Sequence, residues 1–215
     1  MTCRAEPVRK GAALRVAVVA AVITLGLAGC GGPSLAGAAA VVGGERITTA
    51  ELRASAERVL ADQRAAGGGV SAGAELQRTV LSREIVSRTI DEGARREGVS
   101  VTDGEVSSWI EDLRAARGGR EAVDALLVES DIARAELPQV ARNNVTFRKL
   151  VDKLGEDRIN GYLQDVSRDL GVRVNPRYGR WDVEQIGVIP SDSTLSRPAR
   201  STGDAGDAGL LPPTG

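Results

Sequence analysis

Along this chain, apolar positions first cluster in short extended runs and then recur in threes and fours. Ala39-Ala40-Val41-Val42 passes from small to β-branched residues, Gly43-Gly44 is a turn signal, and Glu45-Arg46-Ile47-Thr48 resumes extended character. The pattern predicts a tight hairpin. Thr48 or Thr49 then caps a first helix over 49–66, with Glu51 and Glu57 near its positive end and Leu52, Val59 and Leu60 on its apolar face. Gly67-Gly68-Gly69 stops it. From 74 to 97, Leu76, Val80, Leu81, Ile85, Val86 and Ile90 keep three- and four-residue steps and predict a long second helix, which Gly98 ends.

Thr102 and Glu105 form a T-x-x-E capping box, behind which Val106, Trp109, Ile110 and Leu113 hold the i, i+3, i+4, i+7 spacing until Gly118-Gly119. Val123, Leu126 and Leu127 predict a short fourth helix. Leu137, Val140, Phe147, Leu150, Val151 and Leu154 predict a longer fifth, stopped at Gly155; Pro138 is harmless in its first turn and would kink it if deeper. Asn144 on the same helix is either a polar specifier in the stripe or a surface residue. Ile159, Leu163, Val166 and Leu170 define a sixth helix, ended by Gly171. A short strand over 172–174 and a turn at Asn175-Pro176-Arg177-Tyr178-Gly179 follow. Residues 190–215, rich in Pro, Gly, Ser and Asp, predict a disordered tail.

Composition sharpens this picture. Hydrophobic residues make up 42% of the 215, yet only Trp109, Phe147, Tyr162, Tyr178 and Trp181 are aromatic, so the core must be built from Leu, Val, Ile and Ala. There is no histidine, and the only cysteines are Cys3 and Cys30. That removes His-based nucleophile pairs and His/Cys metal sites. Neither a G-x-x-x-x-G-K-[ST] nor a G-x-G-x-x-G phosphate loop is present. A Ser-Lys dyad through Lys149 or Lys153 is formally open, but lysines on helix surfaces are usually solvated. Asn144-Val145-Thr146 is a weak sequon match inside a predicted helix. No catalytic constellation, no cofactor, no metal site and no small-molecule substrate are expected.

The first 29 residues read as an export signal. Arg4, Arg9, Lys10 and Arg15 precede an apolar run over 16–27, shorter than the ~20 residues a spanning helix needs. Leu27-Ala28-Gly29-Cys30 resembles the bacterial lipobox, in which the cysteine sulfur is acylated and the chain is cut just before it. Cys30 is therefore expected to be the lipidated first residue, palmitate included, holding the protein on the extracytoplasmic face of a membrane; two or more acyl chains give stable anchoring. An ordinary secretory signal with Cys30 as an incidental thiol is the plainer alternative. Residues 30–37 would form a spacer, and 38–189 the folded domain. Four basic residues and one acidic one lie before Cys30, so the overall net charge of −1 becomes −4 in the mature chain. With no basic stripe carrying interleaved aromatics, nucleic acid is not an expected partner.

Two stretches carry a family resemblance, and a third supports it. Residues 40–52, AVVGGERITTAEL, resemble the opening of the SurA/PrsA-type N-terminal chaperone domain, with Gly43 where that family usually has asparagine. Residues 97–106, EGVSVTDGEV, resemble its next junction, and residues 174–182 its closing segment in actinobacterial lipoproteins. The resemblance implies a mainly α, trigger-factor-like helical peptide-binding domain, with a small β element that pairs the opening hairpin with the closing strand. It further implies an ATP-independent holdase for unfolded or partly folded secreted polypeptides. The parvulin prolyl isomerase domain found in many relatives has no room between Leu154 and Ile159. Trp109, Tyr178 and Trp181 are the candidate client-binding residues, because aromatic surface grips unfolded chains without sequence preference. For Trp109 the alternative is a place in the core; for Tyr178 and Trp181 it is stapling the fold. A scaffolding lipoprotein with one dedicated envelope partner is the competing function.

Overall fold

The computed structural model describes residues 35–67, 69 and 73–191. The expected signal segment 1–29, Cys30, residues 30–34 of the expected spacer, Gly68 of the glycine stop and residues 192–215 of the expected tail lie outside the described residues. Within them the order is β1 (Ala38–Val42), β2 (Glu45–Thr48), α1 (Thr49–Ala65), α2 (Ala74–Arg96), α3 (Asp103–Arg117) and α4 (Arg120–Glu129). A one-turn 3-10 segment, Arg134–Glu136, leads to α5 (Leu137–Leu154), α6 (Glu156–Asp169), β3 (Arg173–Val174), β4 (Arg180–Asp182) and β5 (Gly187–Ile189). The architecture is mainly α with a small antiparallel sheet, as expected.

The expected pairing of first hairpin and closing strand is present. β1 lies between β2 and β3, antiparallel to both, with Val41 opposite Arg46 on one side and Arg173 on the other. Being central and covered by helices, β1 has no wet face; all five of its residues are buried, which a run of Ala and Val tolerates. At its end, Gly43 (φ 59°) and Gly44 (φ 85°) make the two-residue turn whose twist matches paired strands. Gly43 donates to Leu170 O at 2.7 Å, and a Cβ there would sit 2.8 Å from Leu170 Cδ2. Any side chain at position 43 would crowd that leucine.

Two identical capping boxes start α1 and α3. Thr48 Oγ1 accepts from Glu51 N (3.1 Å) while Glu51 accepts from Thr48 N (2.7 Å); Thr102 and Glu105 repeat this at 3.3 and 2.9 Å. Pro138 falls in the first turn of α5, where its missing N–H costs no intrahelical bond. The spine of the fold is α2, which buries Leu76, Val80, Leu81 and Ile85 toward α1 and the sheet. Its second half buries Ile90 and Ala94 with Leu150 of α5 and Ile159 and Leu163 of α6. Gly93 lets the Tyr162 ring approach, and Tyr162 OH donates to Gly93 O at 2.8 Å.

β4 and β5 form a hairpin that the sequence did not announce, lying on α2 with Val188 N donating to Ser82 Oγ at 2.7 Å. Its turn has Ile186 at φ 48°, a conformation that β-branched residues rarely adopt, in place of the Gly or Asn that usually marks such a turn. Asp182 accepts from Gln185 N at 2.9 Å and holds the loop.

Candidate functional site

α3 is fastened to α5 by one face of polar side chains. Arg142, Thr146, Lys149 and Lys153 recur at steps of four, three and four residues, so they line a single stripe of α5. Arg142 donates to Val101 O at 3.1 Å and meets Asp103 at 2.5 Å. Lys149 donates to Ser100 O at 2.9 Å and meets Glu105 at 2.5 Å; Lys153 bonds Glu97 O and lies 3.2 Å from the Glu97 carboxylate. The stripe captures carbonyls of the α2–α3 connector and the acidic first turn of α3. The two lysines are thus engaged rather than merely solvated. The Lys149 ammonium, then the Thr102 N–H and hydroxyl, hold the Glu105 carboxyl down to about 2. Thr146 is buried and donates to Arg142 O, while the exposed Asn144 donates to Val140 O, so Asn144 is a surface residue and the sequon threonine is inaccessible.

Beside this stripe, α3 and α5 flank a cleft of about 560 Å³. Glu105, Trp109 and Asp112 line it from α3; Val145, Arg148, Lys149 and Asp152 line it from α5. Its apolar lining is the partly buried Trp109 and the largely covered Val145, among side chains of both charges. Trp109 is partly buried and packs with Ile110, Leu113 and Ile132 against the buried Val123, Leu127 and Leu137. The arm formed by α3 and α4 therefore has a thin core and a half-exposed apolar margin. Of the fifteen residues of α3, only Val106 is buried.

Two smaller clefts, of about 280 and 210 Å³, share Ser55, Arg58, Val80 and Glu84 along α1 and α2. Their floor residues Ile47, Leu52 and Val80 are at most 5% exposed, and Glu136 meets Arg58 (3.4 Å) and Arg83 (3.5 Å) across the second. Arg83 also donates to Asp131 O at 2.8 Å, and Gln63 donates to Asp131 Oδ1 at 2.7 Å. Asp62 accepts from Arg134 N at 2.7 Å. Burial pulls the Arg83 guanidinium below its ordinary value, with Glu136 and Asp131 acting oppositely. This network ties the α4–α5 connector to α1 and α2.

The three candidate aromatics do not converge. Trp109 stands on the arm. Tyr178 is 7% exposed in the main core with Val42, Leu81 and Val188, which corrects its expected role as a surface grip: the ring staples the chain's end onto the sheet. Trp181 packs partly buried against the same core and its Nε1 donates to Ser167 Oγ at 2.7 Å. The sequence does not single out Arg142, Lys149 and Lys153 as a unit, although their helical spacing is a signal it carries. Among the described residues, no group of three or more Asp, Glu, Cys or His is placed to hold a metal ion, and no helix is long and apolar enough to cross a membrane.

The model of the SurA-like N-terminal domain matches residues 6–151. The chain belongs to this family. A SurA-like N-terminal domain is of chaperone type. Gly155 alone separates α5 from α6, so no domain is inserted there. The match ends inside α5, whereas α6 and β3, which complete the core and sheet, lie beyond it. Neither the curated proteins nor the solved structures compared with the chain give a match.

Proposed function

We propose that this SurA-like chain is an ATP-independent holdase for unfolded exported polypeptides, anchored through lipid on Cys30 to the extracytoplasmic face of a membrane. The observation that carries the client-binding part is the apolar margin of the α3–α4 arm, where Trp109 lines a cleft ringed by charges of both signs. An unfolded chain offers scattered apolar groups and mixed charge, and this lining meets both. The α1–α2 clefts are the weaker choice, because their apolar residues are already covered. The anchor rests on the lipobox-like Leu27-Ala28-Gly29-Cys30 after an apolar run too short to span a bilayer.

The test is suppression of aggregation of a chemically denatured client by the chain from residue 31 onward. Protection at stoichiometric concentration is expected, reduced several-fold by Trp109→Ala and little changed by Trp181→Phe. No protection from the intact domain, or full protection from Trp109→Ala, sinks the respective part of the reading. Capture of one dominant envelope protein in place of many denatured clients would favour a dedicated scaffolding role instead. Metabolic labelling with palmitate that persists in Cys30→Ser would overturn the anchor.

A further inference from the structure

The first and last of the described residues lie at one place. Asn175 donates through Nδ2 to Ala38 O (3.0 Å) and through its backbone N–H to Ala39 O (2.8 Å). Ser191, the last described residue, donates to Pro176 O at 3.3 Å. Arg46 bonds Ala36 O, and Thr49 N donates to Gly37 O at 3.1 Å, so the start of α1 sits there as well. From this end α1 runs to Asp62 and Gln63, about 20 Å away at 1.5 Å per residue, where they hold the α4–α5 connector.

The geometry points to this end, formed by residues 35–37, 175–177 and 191, as the face that the domain presents to the lipid headgroups of its membrane, with α4 directed away. The inference rests on the lipid anchor at Cys30 proposed above. Five residue steps separate Cys30 from Leu35, a reach of at most ~18 Å. A body of this size has a radius of gyration of roughly 15 Å. A tether no longer than about the body's own radius keeps its exit point next to the bilayer and prevents the opposite end from turning to meet it. The end also suits that surface: Arg46 and Arg177 are exposed, and Arg177 has no ion-pair partner among the described residues. Anionic headgroups would meet guanidinium groups there.

Once Cys3 is removed with the leader and Cys30 is acylated, the chain has no free thiol, so a single introduced cysteine can be labelled uniquely. Ser191→Cys and Ala125→Cys, the latter on an exposed position of α4, are labelled with a fluorophore in the lipidated full-length protein. Each is reconstituted into phosphatidylglycerol-containing vesicles carrying a headgroup nitroxide as a contact-range quencher. Quenching at position 191 several-fold stronger than at 125 is expected, although 191 is remote in sequence from the anchor. Equal quenching at both, with the protein floating with the vesicles, overturns the orientation and leaves the anchor standing. Failure to float with vesicles overturns the anchor itself, and the orientation with it.

Discussion

The sheet with α1 and the first half of α2, and the arm made of α3 and α4, are built from similar residues to different ends. Both regions open a helix with the same Thr-x-x-Glu box, and both are rich in Leu, Val and Ala. In the first, fourteen buried residues, among them Ala39, Val59, Leu81 and Ile85 at 0% exposure, surround a strand with no wet face. In the arm, Val123 and Leu127 of α4, with Leu137 of α5, hold together several residues that are only partly covered. The arm meets α5 through charge-assisted bonds, which water competes for, and through a small apolar cluster that includes Leu137 of α5. Stability is thus concentrated at the sheet, and exposed apolar surface is left where its loss of cover threatens the fold least.

The contrast is broken most completely by removing the chain after residue 151. β1 then loses β3, one of its two partner strands, and the cluster around Ile90 and Leu150 loses Ile159 and Leu163. Cooperative unfolding in a urea titration monitored by circular dichroism should disappear; a sharp transition in that fragment would mean that the matched span folds alone. Next in size, Leu81→Ala at 0% exposure should cost about 4 kcal/mol in the same titration, and Leu127→Ala in the arm about 2 to 3 kcal/mol. Equal costs would erase the distinction drawn here.

The two caps give a matched pair with smaller effects. Thr48→Ala and Thr102→Ala should each remove about 1 kcal/mol. The first should appear in global unfolding, and the second mainly as faster amide hydrogen exchange confined to α3. The smallest effect concerns Glu105. Folding lowers its pKa from 4.5 to about 2, so its contribution is complete above about pH 4.5 and is lost as the pH falls toward 2. In Lys149→Met, the Glu105 carboxyl should titrate higher by carbon-detected NMR, because its largest stabilising partner is gone; an unchanged midpoint would mean that the cap alone sets it.

What was legible in the sequence was local. The hairpin turn follows from Gly43-Gly44, both capping boxes from a four-residue pattern, and the helix ends from Gly98, Gly118, Gly155 and Gly171, because each signal acts within a few residues. The β4–β5 hairpin was not legible: three-residue strands give no period, and its turn is held by Asp182 and a left-handed Ile186 instead of Gly or Asn. The partition of the aromatics was hidden for another reason. Trp109, Tyr178 and Trp181 share a chemistry, and only the packing of distant segments decides that Tyr178 is sealed between β1 and β5 while Trp109 keeps a side toward the cleft. The fastening stripe on α5 was half visible, since its spacing can be read but its carbonyl partners cannot.

The middle strand of the sheet comes from the start of the domain and one of its two neighbours from the end, with Ala40 opposite Val174. A pairing so remote along the chain closes a very large loop, and such contacts form late and slowly. A polypeptide synthesised amino end first must therefore hold β1 with one edge bare until almost the whole domain has emerged. During that interval the molecule is itself an incompletely folded chain with an open strand edge, prone to the same misassociation as any other newcomer.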